Sequence, residues 1–475
     1  MKQRDIYLLN PKELSPEVIA VAFARTSRSP ESFREIAAAL TDEKSAEFHE
    51  KWVVGYGHAS VAEHAVLHLA IENVSRLAVE AIESNRLASY TEKSTRYQIF
   101  DRDAFYTPEA IAHSHHAALY TDTVHLLFDT YFDSISPVRD VIRRKYPRKE
   151  TESEAAYERR IRSKWIDNCR FLLPSATLAN VGMTANARTL EHAIIKMLSH
   201  PLTEVREIGA EVKRVSQSEV PTLVKYAESS AFVANAAQRI HDLEPKIRGL
   251  PNNNPDQQAV RLIDYDRDAS ERVAAACLYG LGKNDFNCTL EHVRALPVEE
   301  QVAIIAAALS ERGDFDIPPR ELEQTTCTFD CVMDQGAYFD VKRHRIMSQT
   351  PQPLGIDLGY AIPKAIVEAG FSERYRHAME TAGAVYHTLA TVSPHAAAYV
   401  VPNGFNRRVL LTLNLRELFH FCELRGGPNG HFSYRRIALK MYEIARQIYP
   451  AFAPFMRCDK YPSSAEIERE FFEQV

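Results

Sequence analysis

One nine-residue pattern occurs twice in this chain. Thr184-Ala-Asn186-Ala-Arg188-Thr-Leu190-Glu-His192 returns 228 positions later as Thr412-Leu-Asn414-Leu-Arg416-Glu-Leu418-Phe-His420. Two more echoes keep the same order: Arg86-x-x-Ser89 with Arg345-x-x-Ser348, 259 positions apart, and Glu63 with Glu323, 260 apart. Ordered coincidences of this kind mark an internal duplication, and a duplicated unit constrains a fold more than any local propensity does. The early and late spacings differ by 31 positions. The extra length falls where the first half carries a mixed-charge run, Arg139 through Lys164, the composition of a solvated helical face. Residues 244–258 contain Gly249, Pro251, Asn252–Asn254 and Pro255, which is turn and linker chemistry. The sequence therefore divides into a first domain at 1–243, a linker at 244–258 and a second, diverged domain at 259–475.

A chain of 475 residues has room for this division. Its 45% hydrophobic and 25% charged residues are the balance of a soluble globular protein, and a formal charge of −6 argues against a nucleic-acid partner. No apolar run reaches membrane-spanning length, and Met1-Lys-Gln-Arg-Asp-Ile-Tyr7 is not the start of a signal peptide. Seven cysteines spread along the chain form no disulfide framework. A cytoplasmic location with reduced thiols, and no membrane contact, is the expectation. Cys327 and Cys331 lack a second ligand pair at metal-binding spacing, so no metal site is expected, and Cys327 reads as core. Trp52 and Trp165 read as packing residues.

Local patterning gives a mixed, helix-rich α+β chain. Ala65, Leu67, Leu69 and Ile71 share one parity, which predicts a strand over 65–71. Val74, Leu77, Ala78, Ala81 and Ile82 then recur at helical spacing. Further on, the patterns predict a short opening element at Ile6–Leu9, helices over Val18–Ala24, Ser45–Val54, 107–137 and Glu299–Glu311, strand then helix over 261–281, and a strand over Glu323–Asp330. The repeated Asn-x-Arg-x-x-x-His is placed on a helix. The strand and helix of 65–82 aim a polar segment, Arg86 to Tyr97, which carries two arginines, two serines and a glutamate. Arginine forks, small hydroxyls and backbone N–H groups are phosphate-binding chemistry.

The order of residues in that segment resembles the flavin-dependent (alternative) thymidylate synthase family, whose signature is Arg-His-Arg, two residues, Ser, one residue, Asn-Glu, one residue, Ser, one residue, Arg-Tyr. The first half offers Ser84-Asn85-Arg86, Ser89, Thr91-Glu92, Ser94 and Arg96-Tyr97 in that frame, with Ser84-Asn85 replacing Arg-His and Thr91 replacing Asn. The second half offers Arg343-His344-Arg345 and Ser348, then loses the rest to Pro351, Pro353 and Gly355. Gly57-His58-Ala59-Ser60, Glu63-His64, Val74-Ser75-Arg76 and Ala24-Arg25-Thr26-Ser27 are also similar to family segments. The halves are damaged in complementary places. Arg170 is kept where the second half has Ala398, and Arg425 is kept where the first half has Met197.

The resemblance implies two tandem thymidylate-synthase-complementing-type domains forming a pseudo-dimer, with two chains making a pseudo-tetramer. It implies reductive methylation of dUMP to dTMP with FAD, methylenetetrahydrofolate and NADPH, at a composite site drawn from both halves. Under it, Glu92, Lys93, Ser94, Thr95, Arg96 and Arg170 meet the nucleotide, and His58 lines the folate side. Arg425 polarises the pyrimidine as the catalytic group. Ser60, Glu63, Arg86, Glu92, Asn186, Arg188, His192, Arg343, His344, Arg345, Asn414, Arg416 and His420 hold the flavin. Two other readings stay open. Ala81 and Asp340, at a position where the family has a nucleotide-contacting Gln, fit a paralogue that alkylates a different pyrimidine nucleotide. The loss of Arg-His in one half fits a non-catalytic flavin- or nucleotide-binding protein.

Overall fold

The computed structural model describes residues 5–27, 29–243 and 258–473. The expected linker at 244–258 lies outside the described residues except for Gln258.

Two small antiparallel sheets organise the chain. In the first, β1 (Val66–Ser75), β3 (Leu178–Asn186) and β2 (Ala88–Glu92) are neighbours in that order. In the second, the order is β4 (Val260–Tyr265), β5 (Thr326–Asp334), β7 (Asn406–Asn414) and β6 (Ser348–Pro351). The central strand β3 forms because Ala179, Val181, Met183 and Ala185 alternate with more exposed residues and are all buried on one face. The opening segment at Ile6–Leu9 joins neither sheet, and Ile6 and Leu8 are exposed.

Two local expectations are corrected. The polar segment after Arg86 begins as β2, with Ser89 opposite Thr184. The repeated motif is half strand: Thr184-Ala-Asn186 and Thr412-Leu-Asn414 end β3 and β7, and only then do helices Ala187–Leu198 and Leu415–Gly426 start. The two asparagines are the helix caps, Asn186 Oδ1 accepting from Thr189 N and Asn414 Oδ1 from Glu417 N, each at 2.8 Å. Ser75 and Asp334 cap helices Arg76–Ile82 and Gln335–Val341 in the same paired way.

The halves pack about a pseudo-twofold axis. Ser175 N donates to Val401 O and Asn403 N to Leu173 O, both at 2.9 Å, around a bridge between Pro174 and Pro402. One step further out, Ala176 N reaches Tyr399 O and Gly404 N reaches Phe171 O. Every bond has its mate at the position displaced by 228, the signature of a self-complementary interface folded into one chain. A Cβ on Gly404 would sit 2.9 Å from Tyr375 Oη and 3.2 Å from the Phe171 carbonyl, so the seam requires glycine there. One apolar core runs through both halves, with the long helices Ala117–Lys145 and Ser372–Ala390 packed together in it. A second core, including Phe329, Phe419, Phe421 and Phe452, belongs to the second half. Among the described residues no helix is long and apolar enough to cross a membrane.

Buried charge also crosses the seam. Arg407 Nη1 lies 2.7 and 2.8 Å from the two Glu80 oxygens, and Lys342 Nζ lies 2.9 Å from Glu83 Oε2. Burial opposes ionisation of Glu80, but the Arg407 and Lys342 charges outweigh it and hold the carboxyl below its usual range. A depressed carboxylate pKa contributes stability that is present above the unfolded value and lost as pH falls through the folded one. Arg407→Ala strands this carboxylate and should cost about 3–5 kcal/mol at neutral pH in urea denaturation. The gap from the natural protein should narrow as pH falls below about 4.5, the usual glutamate value, and close where Glu80 of the natural fold, held lower by Arg407 and Lys342, also takes up its proton.

Candidate functional site

The chain after β2 turns through Ser94, whose Oγ accepts from Arg96 N at 3.1 Å, and this sends Arg96 toward the seam. Arg96 forks onto Asp167, Nε to Oδ1 at 2.8 Å and Nη2 to Oδ2 at 2.9 Å. Its remaining nitrogen, Nη1, has only the Tyr434 hydroxyl at 3.3 Å and Asn429 O at 3.4 Å, both from the second half. Arg170, only 3% exposed, donates to Thr95 Oγ1 and to Gly336 O, each at 3.2 Å, and its buried Nε has no partner. Burial pulls the Arg170 pKa below its ordinary value.

The second half supplies the opposite wall. Arg343 Nη2 donates to Glu92 Oε2 at 2.8 Å, while Arg76 pairs with the other Glu92 oxygen. Burial works against this carboxylate; Arg76, Lys342 and Arg343 overcome it and keep Glu92 ionised below the usual range. Asp340 stands 3.8 Å from both Arg343 Nη1 and Arg425 Nη1. Arg425 donates its Nε–H to His344 Nε2 at 2.8 Å and lies over the Tyr434 ring. An arginine N–H is only a donor, so His344 Nε2 is the acceptor and Nδ1 carries the proton that Glu417 Oε1 receives at 2.8 Å. Burial first, and the Arg425 charge second, push the His344 pKa well down, so the ring is neutral.

Thr95, Arg96, Arg170, Glu92, Arg343, His344 and Arg425, spread from position 92 to position 425, thus form one cluster. The remaining candidates lie elsewhere. Lys93 is exposed, its ammonium over the Phe100 ring. Arg86 and Arg345 stitch the halves reciprocally: Arg86 Nη2 reaches Met347 O and Ser348 Oγ, and Arg345 Nη1 reaches Arg86 O and Ala88 O. Glu63–Arg188 and Glu323–Arg416 are matching ion pairs at 2.5 and 2.6 Å, and His192 and His420 are exposed on the following helices. His58 and Ser60 line a separate cavity of about 650 Å³ with Ala24, Arg25 and Ser27. Trp52 lines it too, whereas Trp165 is buried in the core. Among the described residues no group of three or more His, Cys, Asp or Glu could hold a metal ion.

Sequence reading missed Asp167, Tyr434, Glu417 and His431. Asp167 lies three residues before Arg170, a spacing that places both at one helix end, and this was the available signal. His431 is fully buried, accepts from Ser433 N at its Nδ1 and so donates from Nε2 to Asp167 O at 2.9 Å.

The model of the thymidylate synthase complementing protein family matches residues 10–222 and 261–451, once in each half. The chain belongs to that family. A UPF0159 protein of Chlamydia muridarum is 33% identical over 88% of this chain and 82% of its own length. A UPF0159 protein of Thermoplasma acidophilum is 29% identical over 90% of this chain and 92% of its own. The flavin-dependent thymidylate synthase of Clostridium tetani is 25% identical over 47% of this chain and 87% of its own length, a single-unit relative of a doubled chain.

The tautomer of His344 is a consequence that can be checked. Nitrogen-detected NMR should show one imidazole locked as Nδ1–H and not titrating between about pH 5 and 8. The signal should vanish in His344→Gln; a ring that charges within that window contradicts the assignment.

Proposed function

We propose that this family member is an FAD-dependent methyltransferase. It converts dUMP to dTMP with methylenetetrahydrofolate as carbon donor and NADPH as reductant, in two domains parted near 244–258 and associating as a homodimer. The observation that carries this reading is the convergence of Arg96, Arg170 and Thr95 with Arg425 across the seam. Anion-binding and ring-polarising chemistry is complete there once, although neither half holds it alone.

In this reading Arg170, with its unpaired Nε, and the loosely held Nη1 of Arg96 take the nucleotide phosphate, and Thr95 Oγ completes the cradle. Arg425 stabilises negative charge developing on the pyrimidine, and the Glu417–His344 pair fixes its guanidinium beforehand, so no reorganisation is needed as the charge forms. The donor set also fits an anionic dinucleotide. Arg188 and Arg416 are paired but solvent-facing, His192 and His420 are exposed beside them, and the Asn186 and Asn414 amides keep their N–H groups beyond the cap. With Arg343 and Arg345 these residues would hold FAD, which supplies hydride chemistry when bound, whereas His344, buried with both ring nitrogens bonded, is left to position Arg425 and not to meet the flavin as the resemblance implied. His58, on the second cavity, would serve the folate side, and Ser60 beside it the flavin.

A second reading is favoured by Asp340. A carboxylate only accepts hydrogen bonds, so where the family's Gln could also donate, Asp340 can meet the amino group of a 4-aminopyrimidine nucleotide such as dCMP or the N3–H of uracil but not a ring carbonyl. Assay of dUMP against dCMP separates the two.

Purified protein should carry flavin absorbance and complement a thymidine auxotroph. Arg425→Ala should lower kcat about 10²–10³-fold with flavin content unchanged, whereas Arg96→Ala should chiefly raise the nucleotide KM. Full turnover in Arg425→Ala removes it as the ring-polarising group.

A further inference from the structure

The pseudo-twofold axis places a second position opposite the charged cluster, a cavity of about 730 Å³. Ala81, Met197, Leu354 and Ala398 line it, the counterparts of Asp340, Arg425, Thr95 and Arg170, and it belongs to the duplicated site already described. A separate pocket of about 60 Å³ lies where helices Ala117–Lys145, Glu154–Cys169, Phe432–Ile448 and Ser464–Phe471 meet. Phe432 and Phe471 give it apolar walls, and Lys164 and Arg435 line it as cations.

Both cations are unspent. Arg435 is only 7% exposed, and its one hydrogen bond runs from Nε to Gly426 O at 3.3 Å. Its Nη1 and Nη2 have no partner among the described residues, yet neither is sealed off from the pocket. The other half shows how those nitrogens can be used. Arg206, like Arg435 the fourth residue of its helix, spends Nη1 on the His200 and Pro201 carbonyls at 2.8 Å and Nη2 on Thr203 Oγ1 at 2.9 Å. Lys164, which closes the mixed-charge run, is half-buried; its ammonium lies 4.2 Å from the centre of the Tyr146 ring and has no carboxylate in ion-pair range among the described residues. The acids around the pocket are engaged or exposed. Asp167 forks onto Arg96, Glu470 lies 3.4 Å from the Tyr146 hydroxyl and 3.9 Å from Lys145 Nζ, and Glu368 is exposed. Burial pulls the Lys164 and Arg435 pKa values below their ordinary range, and the neighbouring acids do not restore them. Two desolvated cations side by side repel each other, and an anion between them relieves both costs.

We infer that this pocket is a binding site for one free tetrahedral oxyanion of the phosphate class. The Arg435 fork supplies paired N–H donors from Nη1 and Nη2, and Lys164 supplies a further donor and the second charge. The volume holds a few waters, and so one such ion, but not a nucleotide. The pocket shares a wall with the charged cluster: Asp167 lines it and forks onto Arg96, and Asn429, between the lining residues Pro428 and Gly430, gives Arg96 its carbonyl. Lys164 and Arg435 take no part in the proposed methylation, so the site stands whether or not the cluster acts on dUMP.

The test titrates inorganic phosphate into the full-length protein in chloride buffer and follows it by calorimetry. One phosphate per chain should bind in a class that Arg435→Gln weakens about tenfold or more through loss of charge-assisted hydrogen bonds, and that Lys164→Met weakens independently. Arg425→Ala should leave this class unchanged, and dUMP should not displace it. Phosphate taken up at Arg96 and Arg170 forms a different class, which the two pocket variants do not move. No binding at tens of millimolar phosphate, binding indifferent to either pocket variant, or displacement of the class by dUMP each overturns the assignment. Thermal melting of the phosphate-free variants guards against loss of fold; if Arg435→Gln melts early, Lys164→Met decides with the same expectation.

Discussion

Glu92 is the carboxylate on which the arrangement hinges. It ends a short strand of the first half, its side chain is fully buried, and it sits between Arg76 of its own half and Arg343 of the other. A lone buried carboxylate is expensive, and a lone buried guanidinium equally so. Arg76 offsets that cost within the first half, and the half-exposed Arg343 adds the second cation only while the halves stay docked in one register. That register, already set by the reciprocal backbone bonds around Pro174 and Pro402, is the one that carries Arg96 and Arg170 to face Arg425.

The same electrostatics explains why the two pseudo-equivalent positions differ. The charged cluster needs Asp167, Asp340, Glu92 and Glu417 to compensate its cations. Keeping two such clusters within one shared core would double the buried charge that must be matched. A duplicated chain, unlike a true homodimer, can alter one copy without altering the other. Here His395 stands opposite Asp167, Ala398 opposite Arg170 and Met197 opposite Arg425. Each loss of a cation is matched by the loss of its acid, which is why the altered position is an apolar-walled cavity and not a set of stranded charges.

Much of this was legible before any coordinates. The repeat was visible because Asn186 and Asn414 are obligatory caps and Arg188 and Arg416 answer Glu63 and Glu323, so local chemistry recurs at fixed intervals. Arg96, Arg170 and Arg425 could be named only through the resemblance to the family, whose motif frame gives their positions. The strand half of the motif was misread because its apolar residues are short and alternate on one face only, a weak signal beside the strong helix that follows. Asp167, Glu417 and His431 were not legible: what they do depends on partners from distant parts of the chain, and an acid near a helix end looks the same whether it faces water or Arg96. The cavity was the least legible feature, since it is defined by bulk that is missing.

His344 ties the two positions together. Its ring nitrogens join Glu417 to Arg425 on the cluster side, while its backbone carbonyl accepts from Gln349 and the residue lines the cavity. Gln349 holds the carbonyls of Val341, Lys342 and His344 through one amide, so the turn that carries the ring is braced from the cavity side. The ring has no freedom to rotate without breaking a buried bond to Glu417, and Arg425 takes its orientation from that ring. The short segment 341–349 thus carries groups that belong to both positions of the duplicated site.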